Sequence, residues 1–364
     1  MSSPLAGVLA VRGKGNKSTV NEIPYCRNVH TYAQRGFRPL CPCGEHQKKY
    51  NISMKPIVIC GPTASGKTEL ALELARQTDG VIISADSRQV YKHLTIGTAK
   101  PQGAWEDNAY RVDGVAYHLV DFLDVTDTFN AGSFCKRTRE IAAANKDTPL
   151  IFAGGTGMYL HAYFVGMDEL PPGTPASRAA VEKILQQEGK EGLHAHLQKI
   201  DPVSAAQIPV GNVQRTMRAL ELYLLTGKPA STLKSGNFFK LPDSEKSHWV
   251  YLDWDKDALR RRIQTRTERM FDGMCEETRA LLSAGFSPDV PALKSLGYPQ
   301  AVEFLQGKLT RAAAVERITT LTCQYAKRQR TWFNRYTNAQ KITLLRTEDF
   351  QPEELAAQIL DVHI

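Results

Sequence analysis

The chain's strongest candidate for chemistry is a glycine-rich segment close to its first apolar run. The segment fits the pattern of Gly, four residues and Gly-Lys-Thr, and consists of Gly61, Pro62, Thr63, Ala64, Ser65, Gly66, Lys67 and Thr68. Glycines let such a loop curl so that its backbone N–H groups and the positive end of the following helix face phosphate oxygens. Lys67 adds a point charge, and the Thr68 hydroxyl can coordinate a Mg²⁺ ion that bridges the phosphates. The segment predicts a site for a phosphate chain but does not specify which one.

A second candidate is the segment that starts at Asp86 and continues Ser-Arg-Gln-Val-Tyr91, directly after an apolar run at 81–84. An Asp at the carboxyl end of a parallel strand beside a phosphate loop points into the ligand crevice. There it can act as a general base, or it can bind Mg²⁺ indirectly through one of the ion's water ligands. The alternative is structural, because Asp is also a common helix N-cap.

Short apolar runs alternate with helical patterns on both sides of these segments. Four runs rich in β-branched residues predict strands at 57–60, 81–84, 118–124 and 149–153. Helices are predicted at 67–77 and 133–144, a further strand at 248–254, and a long basic helix within 311–336. Strands that alternate with helices are typical of βαβ units in a parallel sheet covered on both faces. The expected fold class is α/β, with a parallel sheet core like that of the P-loop NTPases and flanking helices.

The composition of the chain changes twice along its length. Residues 1–53 are rich in Gly, Ser, Asn, Arg and Lys without sustained periodicity, which predicts a basic, disordered N-terminal extension, with Met54 as an alternative start. Residues 165–242 lose the strand pattern and show helical patterns punctuated by proline, which predicts a helical insertion domain. The α/β core then comprises 54–164 and 243–364, and its last part is helical and basic.

Composition excludes several classes of protein. The 364 residues are 42% hydrophobic and 23% charged, which is ordinary for a globular chain and excludes a largely disordered one. No apolar run approaches the roughly 18 residues of a membrane-spanning helix. Seven scattered cysteines do not suggest a disulfide framework and favour a reducing, cytoplasmic setting. The formal net charge is +8, but residues 1–53 hold eight Lys or Arg and two Asp or Glu, so only +2 belongs to the rest.

Seven segments in order give the chain a family resemblance. They are GPTASGKT (61–68), DSRQVY (86–91), GTAKP (97–101), GGTGMY (154–159), QRTMRALE (214–221), LGY (296–298) and QYAKRQRTWF (324–333). With them the chain closely resembles the tRNA dimethylallyltransferases, or tRNA isopentenyltransferases, over roughly residues 54–345. The resemblance implies that the phosphate loop holds the diphosphate of dimethylallyl diphosphate together with Mg²⁺. It also implies transfer of the prenyl group to N6 of the adenine immediately 3′ of the anticodon, tRNA position 37, which forms N6-(dimethylallyl)adenosine and diphosphate.

The resemblance also implies roles for individual residues. Asp86 matches the general base that removes the N6 proton. Departure of the diphosphate builds negative charge, which Lys67, Thr156, the loop amides and Mg²⁺ at Thr68 can stabilise. Further candidate diphosphate contacts are Arg178, Arg262 and Arg266. The last two lie one helical turn apart and could close over the diphosphate, and the alternative for them is a solvated basic helix face.

The resemblance implies a tRNA partner, bound through its anticodon stem-loop with the target adenine flipped out of the stack. The resemblance implies that the helical insertion domain contributes to tRNA binding. The residues that match the family's tRNA-contacting and base-recognition segments are Asp86, Ser87, Arg88, Gln89, Thr156, Arg178, Gln214, Arg215, Thr216, Met217, Arg218, Lys327 and Arg328. The basic helix interleaves its charges with aromatic residues, which suits phosphate contacts beside stacking surfaces, although an aromatic core face is the alternative. The family expectation is a monomer that does not bind membranes.

Other activities stay open on the residues alone. The same chemistry on free AMP or ADP would not need the insertion, a P-loop small-molecule kinase would consume ATP, and a non-catalytic RNA-binding protein would use only the basic surface. Two departures from the family pattern concern RNA contacts. Pro299 follows LGY where a basic residue is usual, and Cys323 stands before QYAKRQ where a basic residue is common.

Overall fold

The computed structural model describes residues 55–107, 109–168, 170–233 and 240–363, so the predictions made for residues 1–53 and Met54 lie outside the described residues. The strands are β1 Ile57–Cys60, β2 Val81–Ser84, β3 Ala104–Glu106, β4 Ala109–Val112, β5 Val115–His118, β6 Leu150–Gly154, β7 His248–Trp254 and β8 Gln340–Leu344. The α-helices are α1 Lys67–Thr78, α2 Ala131–Ala144, α3 Gly157–Phe164, α4 Pro175–Ile200, α5 Pro202–Gln207, α6 Val213–Thr226, α7 Ala230–Leu233, α8 Lys256–Ser283, α9 Tyr298–Leu305, α10 Arg311–Phe333 and α11 Pro352–His363.

One sheet contains all eight of these strands, in the order β3-β4-β5-β2-β6-β1-β7-β8. The pairs from β5 to β8 are parallel, and β1 lies between β6 and β7, with Ile57 opposite both Ile151 and His248. All four residues of β1 are buried, as expected for a strand covered by helices on both faces. The phosphate loop therefore begins at the carboxyl end of an inner strand of the sheet.

The sequence located the inner strands well and one edge of the sheet poorly. The predictions at 57–60, 81–84 and 248–254 are confirmed. The strand predicted at 118–124 is wrong, because β5 ends at His118 and the next residues include left-handed φ values of 60° at Leu119 and 55° at Asp121. The antiparallel hairpin of β4 and β5 was also missed, although its turn, Asp113-Gly114 with both φ values positive, is a typical hairpin signal.

Between β6 and β7 the described residues form helices and no strand. Helices α4 to α7 share a core of their own, which includes Val181, Leu193, Leu197 and Leu220. Helix α4 is interrupted at Gly189, which has a φ of 68°. The helical character agrees with the sequence pattern, and the proposed domain boundaries at 165 and 242 stay a prediction.

Glu277 of α8 fixes the loop that carries the GTAKP segment. Its carboxylate accepts hydrogen bonds from the N–H groups of Thr95 at 2.8 Å, Ile96 at 2.6 Å and Gly97 at 3.2 Å. The Tyr298 hydroxyl donates to the same carboxylate at 2.6 Å, and a Cβ atom on Gly97 would lie 2.4 Å from that hydroxyl oxygen. The tyrosine of LGY is fully buried, so this segment shapes the loops around the site from inside the protein.

Both departures from the family pattern have a structural setting. Pro299 lies in the first turn of α9, where a backbone N–H has no helical acceptor and its loss costs little. Cys323 is half-buried against the core formed around the sheet. A partly buried thiol at this position packs against apolar neighbours, whereas a basic side chain would have to reach past them to solvent.

Replacing Glu277 by Ala should destabilise the protein by about 2–3 kcal/mol, because three N–H groups and a hydroxyl lose a charged acceptor. Urea unfolding of the Glu277→Ala variant would measure this loss. The matched control is Glu276→Ala at the exposed neighbouring position, which should shift the unfolding free energy by no more than about 0.5 kcal/mol. Equal shifts in the two variants would contradict the role assigned to Glu277.

Candidate active site

The phosphate loop connects β1 to α1 through three residues with left-handed φ. These are Gly61 at 149°, Ala64 at 63° and Gly66 at 90°. Gly66 also lies against the Phe350 ring, where a Cβ atom would come within 2.2 Å of the ring's Cζ. Both glycines of the motif are thus required by backbone conformation, and the second also by close packing.

The carbonyl side of the loop is held by β7 and α8. The Trp254 indole N–H donates to the Ser65 carbonyl at 3.1 Å, and Nε of Arg262 donates to the Ala64 carbonyl at 2.9 Å. The Arg262 guanidinium stacks 4.4 Å from the Trp254 ring centroid. These contacts set the shape of the loop from behind, so its N–H groups are preorganised for an anion.

Lys67 and Arg266 place two positive charges close to Asp86. Lys67 Nζ donates to the Pro62 carbonyl at 2.6 Å, and Arg266 Nη2 donates to Thr63 Oγ1 at 2.7 Å. The protein atoms packed around the ammonium lower the pKa of Lys67 to about 8, although the residue keeps some solvent exposure, and the Asp86 charge opposes this shift. Burial likewise lowers the pKa of Arg266 to about 10, again opposed by Asp86. A bound anion would replace the lost hydration of both cations.

Asp86 is oriented by the turn that follows β2. Its Oδ1 accepts hydrogen bonds from the N–H groups of Arg88 at 2.7 Å and Gln89 at 3.3 Å. No α-helix begins here within the described ranges, so Asp86 closes a turn where a helix cap was the alternative. The Gln89 side chain is buried, accepting from the Ser84 hydroxyl at 3.2 Å and donating to the Ala99 carbonyl at 2.9 Å. Gln89 therefore braces the loops in this structure.

Thr156 lies beside the Asp86 turn at the start of α3. Its Oγ1 accepts the N–H of Ser87 at 3.1 Å, and its side chain is one of the groups that act on the pKa of Tyr325. Burial raises the pKa of Tyr325 to about 12, so this hydroxyl stays protonated at neutral pH. The Gly-Gly-Thr turn, the Asp86 turn and α10 thus meet at one point.

Gln329 of α10 is a site residue that the sequence analysis missed. Its Oε1 accepts the N–H of Thr63 at 2.7 Å, and its Nε2 donates to the Gly155 carbonyl at 2.9 Å. The side chain is 5% exposed and connects the phosphate loop to the Gly-Gly-Thr turn. The available signal was its position in QYAKRQRTWF, four residues after Tyr325 and hence on the same helix face.

Two adjoining cavities meet at Asp86. The first has a volume of about 840 Å³ and includes the phosphate loop from Thr63 to Thr68, and the second has a volume of about 390 Å³. The residues that line both are Thr63, Asp86, Thr98, Ala99, Arg266 and Tyr325. Arg262 lines only the first, and Ser87, Arg88 and Arg328 line only the second. A carboxylate at such a junction can act on two ligands at once.

The predicted residues of the insertion lie elsewhere. Exposed Arg178 and half-buried Arg218 both pair with buried Glu221, at 3.3 Å and 3.4 Å, and Arg178 lines neither cavity. Thr216 and Met217 are buried within the insertion, so their side chains support helix packing here. The exposed members of this run are Gln214 and Arg215. The tRNA-binding role of the run, and the diphosphate contact by Arg178, stay predictions.

On α10, Lys327 and Arg328 are exposed. The Arg328 guanidinium lies 5.8 Å from the Tyr325 ring centroid at the second cavity. Among the aromatic residues of this helix, Phe333 is buried and packs in the core. The helix therefore has an aromatic face toward the core, as the alternative predicted, and a separate exposed face that carries Lys327 and Arg328.

The sheet and the phosphate loop define a protein of the P-loop class, with two adjoining cavities at the loop. A family model described as IPP transferase matches residues 89–336, and one described as Isopentenyl transferase matches residues 54–112. The chain belongs to the IPP transferase family.

Relatives and solved structures agree with this assignment. The chain is 52% identical over 287 residues to a tRNA dimethylallyltransferase of Elusimicrobium minutum, and this match covers 78% of this chain and 93% of the relative. It is 40% identical over 281 residues to the Myxococcus xanthus protein of that name, covering 76% and 89%. The fold is similar to the tRNA isopentenylpyrophosphate transferase of Bacillus halodurans, with a TM-score of 0.57, 29% identity and coverage of 85% and 94%. A eukaryotic dimethylallyltransferase acting on tRNA gives a TM-score of 0.65 at 25% identity, covering 84% and 77%.

We expect the affinity for inorganic diphosphate to fall as pH rises through about 8. Lys67 is charged below its pKa of about 8 and neutral above it, and the anion binds the charged form. The dissociation constant should therefore rise above that pH, by up to about tenfold per pH unit. Calorimetric titrations between about pH 7 and about pH 9.5 would measure this.

The matched variant for this experiment is Lys67→Met, which removes the titrating group. It should bind diphosphate more weakly at neutral pH and lack the loss of affinity around pH 8, so the difference between the two profiles isolates Lys67 from the titration of Arg266 and of diphosphate itself. A wild-type profile parallel to that of Lys67→Met would assign the pH dependence to another group.

Proposed function

We propose that this enzyme transfers the dimethylallyl group of dimethylallyl diphosphate to N6 of the adenine immediately 3′ of the anticodon of tRNA. The products are N6-(dimethylallyl)adenosine in the tRNA and diphosphate. The observation that supports this most directly is the position of Asp86, where a cavity lined by the phosphate loop meets a second one. Family membership and the names of the relatives supply the classes of donor and acceptor.

The donor fits the first cavity with its diphosphate on the loop. The hydrogen bonds of Lys67 and Arg266 now end on neutral oxygen atoms, a carbonyl and a hydroxyl. Phosphate oxygens are stronger acceptors for both cations, because the hydrogen bonds become charge-assisted at both ends. As the allylic C–O bond breaks, charge grows on the departing diphosphate, and the loop N–H groups and these two cations stabilise it.

The residues at the loop also fit Mg²⁺, which prefers oxygen ligands and often shares them with substrate phosphates. Thr68 and Asp86 both line the first cavity. Within the described ranges no three His, Cys, Asp or Glu side chains form a metal site. Thr68, and Asp86 through water, would hold the ion. When bound, it would neutralise charge on the diphosphate.

The acceptor base fits the second cavity with its N6 amine at Asp86. This amine is a poor nucleophile because its lone pair is delocalised into the ring. Proton transfer from N6 to the Asp86 carboxylate restores the lone pair as the new C–N bond forms and the C–O bond to diphosphate breaks. The two N–H groups on Oδ1 keep the carboxylate oriented during this step.

The tRNA is expected to contact the exposed basic residues of α6 and α10, which include Arg215, Lys327 and Arg328. Phosphate contacts of this kind carry most of the affinity and weaken with salt. We further propose that the enzyme works in the cytoplasm as a monomer. Among the helices described, none combines the length and the apolar character needed to span a bilayer.

Incubation with dimethylallyl diphosphate, Mg²⁺ and a tRNA that has adenosine 3′ of its anticodon should give the N6-prenylated nucleoside. Digestion of the tRNA and mass spectrometry of its nucleosides would detect it. Parallel reactions should show no comparable prenylation of free AMP and no phosphorylation of a metabolite by ATP. Turnover of AMP without turnover of tRNA would point to the adenylate enzyme.

The Asp86→Asn variant should lose about 10²- to 10⁴-fold in turnover, since its amide can still accept the two turn N–H groups but cannot take a proton. Without Mg²⁺, diphosphate binding should be equal or tighter, because a negative charge next to Lys67 and Arg266 has been removed. Single-turnover kinetics and tRNA binding would be measured together. Normal turnover with lost tRNA binding would contradict the role of general base.

A further inference from the structure

The second cavity contains one buried hydroxyl that differs from its neighbours. Thr267 and Thr322 each donate to the backbone carbonyl four residues earlier, at 2.8 Å and 2.7 Å, and Thr98 does so at 2.6 Å. Ser295 also lines this cavity and is only 1% exposed, but its Oγ has no hydrogen-bond partner among the described residues. A buried hydroxyl without a partner lowers the stability of the folded protein by about 1–3 kcal/mol. The fold keeps Ser295 despite this cost.

The backbone around Ser295 is fixed. Its N–H donates to the Ala292 carbonyl at 3.0 Å, and its carbonyl accepts the N–H of Tyr298 at 3.1 Å. Tyr298 is in turn bonded to the Glu277 carboxylate at 2.6 Å. The backbone that carries this hydroxyl is therefore held rigidly, as an efficient recognition group requires.

The other walls suit a flat aromatic ligand. Met270, Met274, Leu296 and Ile318 contribute apolar surface, and methionine adapts well to ring faces. The volume of about 390 Å³ is in the range of small-ligand pockets, which combine apolar walls with a few well-placed polar groups. A hydroxyl can donate one hydrogen bond, which a ring nitrogen accepts.

We propose that the Ser295 hydroxyl donates a hydrogen bond to a ring nitrogen of the acceptor adenine, N1 or N7, and so turns N6 toward Asp86. The proposal rests on the proposed function. Adenine presents its N6 amine as a donor between these two acceptors. Asp86 accepts a proton from the N6 amine, and the Ser295 hydroxyl donates to the ring nitrogen beside that amine. These two contacts fix the orientation of the base in the plane of its ring.

The test compares wild type with Ser295→Ala on synthetic anticodon stem-loops that have adenosine, 1-deazaadenosine or 7-deazaadenosine as the acceptor. With adenosine, the variant should lose about tenfold in kcat/KM for the RNA, with the KM for dimethylallyl diphosphate unchanged. One of the two deaza analogues should cause a similar loss in wild type and no further loss in Ser295→Ala. Unchanged kcat/KM in the variant, or analogue losses that add to it, would overturn the proposal.

Two further measurements separate recognition from folding. Ser295→Ala should melt at the same or a higher temperature, because an unsatisfied hydroxyl is removed, and a lower melting temperature would overturn the proposal. The matched control is Thr319→Val on α10, which removes another buried hydroxyl without a described partner that lines neither cavity. It should leave kcat/KM unchanged, and a tenfold loss there would also count against Ser295. Failure of wild type on the adenosine RNA would instead overturn the proposed function, and this inference with it.

Discussion

The desolvation of positive charge beside Asp86 is the constraint on which the rest of the site depends. Lys67 and Arg266 lose hydration where they lie, and the carboxylate compensates for only part of that loss. Such an arrangement is tolerable only if the scaffold prevents the cations from swinging out to solvent. The inner strand β1, the loop carbonyls fixed by Trp254 and Arg262, and the long helix α8 provide that rigidity. An anion that binds there meets charges already in position, so its binding requires little reorganisation of the protein.

Hydrogen bonds made by Gln329 and Glu277 connect the parts of the site that the two cations do not hold together. Gln329 connects the loop for the donor to the turn that contains Thr156, and it does so from the helix whose exposed face holds Lys327 and Arg328. The Glu277 carboxylate likewise holds the loop over the second cavity by accepting hydrogen bonds from it and from Tyr298. The walls of the two cavities therefore belong to one hydrogen-bonded structure. A change at Gln329 or at Glu277 would alter the surroundings of both cavities.

The sequence predicted what is local in the chain. The phosphate loop is contiguous, so its conformation and its position after β1 followed from eight residues. Gln329 was missed because its partner Thr63 lies 266 positions away, and an uncharged amide gives no pattern that indicates such a contact. The tyrosine of LGY received no role from the sequence, and the structure shows it buried against Glu277, because a motif does not reveal which of its side chains faces the interior. The strand prediction at 118–124 failed for a different reason, because apolar residues in a turn with left-handed φ look the same as a strand in composition.

The contact between Phe350 and Gly66 has a consequence for the order in which the protein forms. The loop is synthesised well before the strand β7 that lies beside β1 and before the Phe350 ring that covers Gly66. Contacts so distant in sequence form slowly and late, after the entropy of closing a very long loop has been overcome. A nascent chain therefore emerges with a complete phosphate-loop sequence that has neither its neighbouring strand nor its cover. The loop therefore reaches its final surroundings only after Phe350 has been synthesised and has packed against Gly66.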